Sequence, residues 1–263
     1  MSYLKRYINK AAKIEPNEIR AVLVSFAFIF SILAAYYIIR SVRDGMSSDW
    51  SDAELSTIWT FTFFISFLVV SFYGYICSKV KFKYLVPGVY GFFALSFVLL
   101  FLLINFFPEL NLINQIFYVW VSVFSLLNIS VFWSFMADTY NKEQAKRLFA
   151  FIASGSSLGA IFGPTISLIF ASRLGSESLV LISAVMLIIP LMIAIYLNKI
   201  KATDLDNTSS SEFNQNEMSG NFWDGFAELL KPPLAKNILL GIGIFIVLYS
   251  GLSTFVYFAI KNI

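Results

Sequence analysis

Two arginines and a carboxylate close the first long apolar stretch of the sequence, where residues 36–44 read YYIIRSVRD. Arg40 and Arg43 are three residues apart, so on a continuing helix they share one face. Guanidinium groups bind phosphate bidentately, so the pair predicts a site for an anionic group, and Tyr36 and Tyr37 can offer ring faces to a base. The alternative is structural: both arginines reach lipid headgroups and the helix dipole, and Asp44 neutralises one of them.

A second feature is a run of glycines four residues apart, Gly155, Gly159 and Gly163, followed by Pro164. Glycines at this spacing line one helix face and let a neighbouring helix approach closely. Pro164 removes a backbone hydrogen bond and predicts a kink. The pattern is typical of helix packing, and its functional alternative is a face along which helices slide during a conformational change.

Two turns carry residues that we predict to form a cytoplasmic gate. Gly74 and Lys79 belong to one turn, a glycine followed by a basic cluster, and the alternative is that a preference for positive charge on the cytoplasmic side explains its lysines. The other turn contains Asp138, Glu143, Lys146 and Arg147, whose charges can pair, and its alternative is a solvated loop.

Several classes of chemistry are poorly supported. The chain has no His and one Cys, which excludes a disulfide framework, a His-ligated metal and a His general base. No Asp, Glu, Lys, Arg or His lies inside a long apolar stretch, where such groups normally mark ion paths or catalytic sites. We therefore predict no enzyme activity, cofactor, metal or nucleic-acid partner, whereas exchange of one solute for another requires no such group.

The elements that position these residues are membrane spans. The 263 residues are 58% hydrophobic and only 13% charged, far from the composition of a soluble domain. Seven stretches are long enough to cross the roughly 30 Å of bilayer hydrocarbon as helices: 21–39, 55–78, 84–107, 112–137, 148–172, 179–197 and 238–260. The sequence thus predicts an all-α membrane protein of about seven spans in a lipid bilayer.

Charge distribution predicts the orientation. With the N-terminus in the cytoplasm, 15 of the 19 Lys and Arg residues are cytoplasmic, and only Arg40, Arg43, Arg173 and Lys261 lie outside. The predicted organisation is a basic cytoplasmic segment (1–20), a six-helix transmembrane bundle (21–198), a cytoplasmic linker with an amphipathic helix (199–236) and a seventh transmembrane helix (237–263). Six spans, a linker and one more span predict an N-terminal half whose C-terminal half is missing, and the alternative is a natural truncation.

The motifs resemble a known family. The close of the first span at Tyr37, Arg40, Arg43 and Asp44, and the segments 130–138, 143–147 and 154–159, are similar to those of the ATP/ADP exchange translocases and their bacterial NTP/NDP-exchanging relatives. The turn after Gly74 and the glycines of the fifth span also resemble major facilitator superfamily signatures. The resemblance implies a facilitator-like N-terminal bundle in the bacterial inner membrane. The resemblance places Arg43 where the exchangers have a functional lysine in the first span. Val121 and Ser122 stand in the part of the fourth span where the exchangers have an acidic residue.

The function that follows is exchange of nucleotides, such as ATP and ADP, or of another phosphorylated or organic anion, by alternating access. One alternative is a facilitator-type transporter of a drug, sugar or lipid without phosphate recognition. Another is a membrane sensor or scaffold that transports nothing.

Overall fold

The computed structural model describes residues 14–77, 79–107 and 110–205 of the chain. All regular secondary structure in this part is helical, in seven helices: α1 (Ile19–Met46), α2 (Asp52–Cys77), α3 (Phe82–Phe106), α4 (Asn111–Thr139), α5 (Lys142–Leu174), α6 (Ser178–Met186) and α7 (Ile188–Thr203). They supply six candidate spans, which confirms the six-helix bundle. The predicted seventh span, the amphipathic helix of the linker and residues 1–13 lie outside the described residues.

The helices are longer than the apolar stretches that predict them. In lipid the backbone must satisfy its own hydrogen bonds, so the apolar stretches form helices. Before α5, the Asn141 side chain accepts from the N–H groups of Glu143 and Gln144, and the Gln144 side chain accepts from Asn141 in return. At the other end of α5, Gly175 has φ +80°, which only glycine adopts readily.

The sixth span is built from two helices, because α6 ends at Met186 and α7 begins at Ile188. Pro190 lies just inside α7. Proline has no N–H to donate to the carbonyl four residues earlier, which here belongs to Met186, and its ring crowds that carbonyl. Pro190 therefore explains why the sixth span breaks between α6 and α7. By contrast, α5 continues as a helix through Pro164.

The first span is the centre of the bundle. Helix α1 packs against α5, against both helices of the sixth span and against α4. Its buried face runs from Ala21 to Val42. Helix α2 is the least buried of the six candidate spans. It packs mainly against α4, and only 11% of its most apolar stretch is buried. The candidate site residues at the end of α1 are thus held by the most enclosed helix of the bundle.

The outer surface of the bundle is apolar. Large side chains such as Trp59, Phe63, Phe67, Leu95 and Leu168 are more than half exposed. In water such a surface would aggregate, whereas in a bilayer it contacts acyl chains. The protein is therefore a multi-pass membrane protein. We call the end where α1 begins the inner end and the end where α1 finishes the outer end, because the charge distribution predicts that α1 begins on the cytoplasmic side.

Candidate functional site

One carboxylate at the outer end of α1 accepts hydrogen bonds from two arginines. Asp44 Oδ1 accepts from Nη2 and Nε of Arg43 at 2.6 and 2.9 Å, and its Oδ2 accepts from Nε of Arg40 at 3.3 Å. The sequence predicted that α1 continues through this segment with the arginines on one face, and the helix does run to Met46. Two positive charges and one negative charge leave a net charge of about +1 in the cluster.

Arg43 is enclosed by α4. Its side chain is only 13% exposed. Nη1 donates to Oγ of Ser122 at 3.3 Å, and the guanidinium carbon lies 5.1 Å from the centre of the Tyr118 ring. Side chains on a helix tilt towards its N-terminus, so Arg43 extends back from the outer end towards the membrane interior. Arg43 is therefore a positioned cation rather than one that reaches out to lipid headgroups.

Arg40 is more accessible. Its side chain is 42% exposed, and its guanidinium lies 5.5 Å from the centre of the Tyr37 ring. Apart from the Nε bond to Asp44, its nitrogens donate no hydrogen bond to any residue that the structure describes. Two terminal nitrogens are thus available to an anion.

The two tyrosines are already engaged. The Tyr36 ring packs edge-on against Tyr37 at 5.2 Å between centres and lies 6.3 Å from Phe124. One face of Tyr37 carries Arg40. These rings therefore support the arginine pair, and a base that stacks on Tyr37 would compete with Arg40.

Tyr118 links three elements and was not singled out from the sequence. Its hydroxyl accepts from Nε1 of Trp59 on α2 at 2.9 Å, and its ring lies 5.5 Å from that of Trp50, in the turn before α2. The same ring faces Arg43. Tyrosine 118 is flanked by apolar residues, so its role is visible only once α1, α2 and α4 are brought together.

The glycine face of α5 lies directly against α1. A Cβ added to Gly155, Gly159 or Gly163 would lie 2.5–2.7 Å from the carbonyl oxygen of Phe26, Phe30 or Ala34, respectively. Backbone atoms cannot move aside as the end of a flexible side chain can. The sequence predicts close packing with an unspecified neighbour, and the structure identifies that neighbour as the central helix.

Charged residues at the inner end pair between helices. Glu18, which precedes α1 and is 1% exposed, accepts from Arg147 of α5 at 2.8 and 3.2 Å. Glu15 lies 3.5 Å from the same guanidinium. A forked pair of this kind holds the start of α1 to the start of α5.

The ends of α4 and α7 are joined in the same way. Nζ of Lys201 donates to Oδ2 of Asp138 at 2.9 Å, and both side chains are largely buried. Arg20 on α1 donates to the Tyr196 hydroxyl and lies 3.7 Å from Asp204. Sequence reasoning missed Glu18 and Lys201. The signals that could have found them are an acidic residue within a basic segment and a basic residue at the end of the sixth span.

Four of the residues predicted for the inner gate make no interhelix ion pair among the described residues. Gly74 is half-buried in α2, and Lys79 lies 5.9 Å from the centre of the Tyr75 ring. Glu143 and Lys146 are exposed on the first turns of α5. Only Asp138 and Arg147 of the predicted set join helices, and they do so within this bundle.

A buried hydroxyl pair lies close to Glu18. The hydroxyls of Ser25 and Tyr140 are 2.9 Å apart. Burial raises the pKa of Tyr140, so its hydroxyl stays protonated and neutral. This bond joins α1 to the residue that follows α4.

A pocket of about 600 Å³ opens between the outer halves of α2 and α4. Its lining is largely apolar, with Glu54, Thr57 and Gln115 as polar members. Among the described residues, no group of three or more His, Cys, Asp or Glu lies together in a way that could hold a metal ion.

Comparison with known proteins gives one match. A family model described as Major Facilitator Superfamily matches residues 21–262, nearly the whole chain. Neither a curated protein nor a solved structure shows significant similarity to the chain.

Proposed function

Because the chain belongs to the major facilitator superfamily and is a membrane transporter of that type, we propose that it exchanges phosphorylated or other organic anions across the membrane. The proposed anion site is the outer end of α1. Arg43 and Arg40 bind the anionic group, Asp44 holds the two guanidinium groups in place, and Tyr36 and Tyr37 support them.

The observation that carries this proposal is the unequal state of the two arginines. Arg43 is fixed by Asp44, Ser122 and the Tyr118 ring, so it offers a preorganised charge. Arg40 is 42% exposed and keeps two terminal nitrogens without a hydrogen bond to the described residues. A single carboxylate cannot neutralise both groups, so the cluster attracts a further anion.

Alternating access is the proposed mechanism. The ion pairs Glu18–Arg147 and Asp138–Lys201 join helices of the same bundle, which suits a body that rocks as a unit. The remaining charged residues predicted for the gate, Lys79, Glu143 and Lys146, are then available to act there. The contact of Gly155, Gly159 and Gly163 with α1 provides the surface for small helix shifts.

The proposed substrates are nucleotides such as ATP and ADP, together with smaller phosphorylated anions, and the proposed location is the bacterial inner membrane. Recognition of the phosphate contributes more to the proposed site than recognition of the base, because Arg40 already occupies one face of Tyr37. A base would stack only on the free ring surface.

A thermal-shift panel on the purified protein tests the substrate class. ATP, ADP, inorganic pyrophosphate and inorganic phosphate are compared with adenosine and a neutral sugar. We expect the phosphorylated compounds to raise the melting temperature and adenosine to leave it unchanged. A shift with adenosine or sugar and none with pyrophosphate would assign the protein to a different solute class.

A further inference from the structure

Polar side chains on α2 and α4 have no hydrogen-bond partner among the described residues. The Thr62 and Ser66 hydroxyls on α2 and both side-chain polar atoms of Asn128 on α4 are buried without a hydrogen bond to the described residues. Ser66 is 7% exposed and Asn128 is fully buried. In the interior of a membrane protein, such groups cost free energy unless water, a ligand or another conformation satisfies them.

Other hydroxyl side chains of α2 provide a comparison. Those of Thr57, Thr60 and Ser71 donate to the carbonyl oxygen four residues earlier, at 2.7–2.9 Å. This local bond is the usual solution for a hydroxyl in a transmembrane helix. Thr62 and Ser66 do not use it, and they lie one turn apart on the same side of the helix. Their hydroxyls are therefore left available to something outside α2.

The helix register shows which residues of α4 lie at the same level as Thr62 and Ser66. Trp59 on α2 bonds to Tyr118 on α4, and both helices run from the outer to the inner end. With the same rise per residue, Thr62 lies near the level of Ser122, where the Arg43 guanidinium is held, and Ser66 lies near the level of Ser125. Asn128 is one turn deeper. The polar groups thus form a line that starts at the anion site and leads inward.

This interface is also able to open. Helix α2 is the least buried of the candidate spans and packs mainly against α4. The pocket of about 600 Å³ lies between the same two helices, immediately towards the outer end. A modest movement of α2 would therefore admit water to Thr62 and Ser66 without disturbing the central helix.

We propose that Thr62 and Ser66 line a polar seam between α2 and α4 that takes up water during the transport cycle and continues the pathway inward from Arg43 to the level of Asn128. The seam gives the proposed anion a hydrated route past the aromatic core. The Tyr90 hydroxyl, which donates to the Asn128 backbone carbonyl at 3.0 Å, anchors α3 to the wall of the seam at this level.

Cysteine accessibility in membranes tests the seam without any solute. In a Cys77→Ser background, Thr62→Cys and Ser66→Cys are each treated with a hydrophilic methanethiosulfonate reagent. The matched controls on the same helix are Thr60→Cys and Ser71→Cys, whose parent hydroxyls bond to their own backbone. Only a hydrated thiol ionises and reacts, so we expect the seam positions to react roughly tenfold faster than the controls.

Equal or slower reaction at the seam positions would overturn the proposal. The two pairs are independent, so a variant that fails to fold leaves the other comparison in place. The seam extends the proposed anion pathway, but its hydration is measured with no anion present. If the seam thiols react but no phosphorylated compound stabilises the protein, the seam is supported and the anion function is contradicted. If phosphorylated compounds stabilise the protein but the seam thiols do not react, the anion function is supported and the seam is contradicted.

Discussion

Arg43 at the end of the first span donates a hydrogen bond to Ser122 in the fourth span, at 3.3 Å. Ser122 carries a neutral hydroxyl, so the contact adds no negative charge to the cluster. Ser122 therefore fixes the direction of the guanidinium without cancelling its charge. An acid there, added to Asp44, would leave the cluster without a net positive charge.

The first prediction concerns this contact. Ser122→Ala removes one hydrogen bond but keeps the charge of Arg43, so we expect the affinity for pyrophosphate to fall by roughly two- to tenfold. Ser122→Asp neutralises the site and should weaken binding further. Both are measured by titration of the thermal shift. Ser130→Ala is the control, because Ser130 is exposed and bonds to its own helix at Leu126; an equal loss there would remove the specific role of Ser122.

The second prediction concerns the contact between α1 and α5. Gly159→Ala brings a methyl group to 2.5 Å from the Phe30 carbonyl oxygen. The helices must separate, and we expect a loss of about 1–3 kcal/mol in stability, visible as a lower melting temperature in detergent. Gly88→Ala is the control, since a Cβ at that helical position meets nothing within 4 Å. If the two variants melt alike, the glycine face does not set the helix separation.

The third prediction concerns the inner end of α1. Arg147→Gln leaves the carboxylate of Glu18 buried and without its main partner, which should cost about 3 kcal/mol. Lys146→Gln, one residue earlier and exposed, removes the same charge and should change the melting temperature little. Comparable melting temperatures for the two variants would show that the Glu18–Arg147 pair does not hold α1 to α5.

The fourth prediction separates a tie within the bundle from a gate. Asp138→Lys and Lys201→Asp should each lower stability, because each places two like charges in a largely buried contact. The double reversal restores the pair, and we expect it to recover most of the melting temperature. Recovery of stability together with normal exchange indicates a tie between α4 and α7. Recovery of stability without exchange would mean that the orientation of the pair matters to gating.

Much of this fold is predictable from the sequence because the bilayer restricts the choices. Apolar stretches longer than about 20 residues have to be helices, and Lys and Arg orient them, so six of the spans follow from hydropathy alone. The same reasoning predicts that Arg40 and Arg43 share a face of α1, since a helix that continues past its apolar stretch fixes their relation.

The contacts between helices were beyond sequence reasoning. The spacing of Gly155 and Gly159 indicates a close neighbour but does not say that the neighbour is α1. Tyr118 and Glu18 gain their roles from partners on other helices, at Arg43 and Arg147. The unpartnered hydroxyl of Ser66 differs from that of Ser71 only in the side of α2 on which it lies, which no local pattern of residue types reveals.

Exchange of radiolabelled ATP against internal ADP in proteoliposomes, compared between the unmodified protein and Arg43→Ala, tests the central claim most directly. We expect the substitution to reduce exchange roughly tenfold or more, Arg43→Lys to retain an intermediate rate because it keeps the charge but loses the fork, and Arg173→Ala, an exposed outer-end control, to match the unmodified protein. With ATP replaced by labelled phosphate, the same order should hold. Undiminished exchange by Arg43→Ala, or no exchange of either compound by the unmodified protein, would contradict the assignment of this site to a phosphorylated anion.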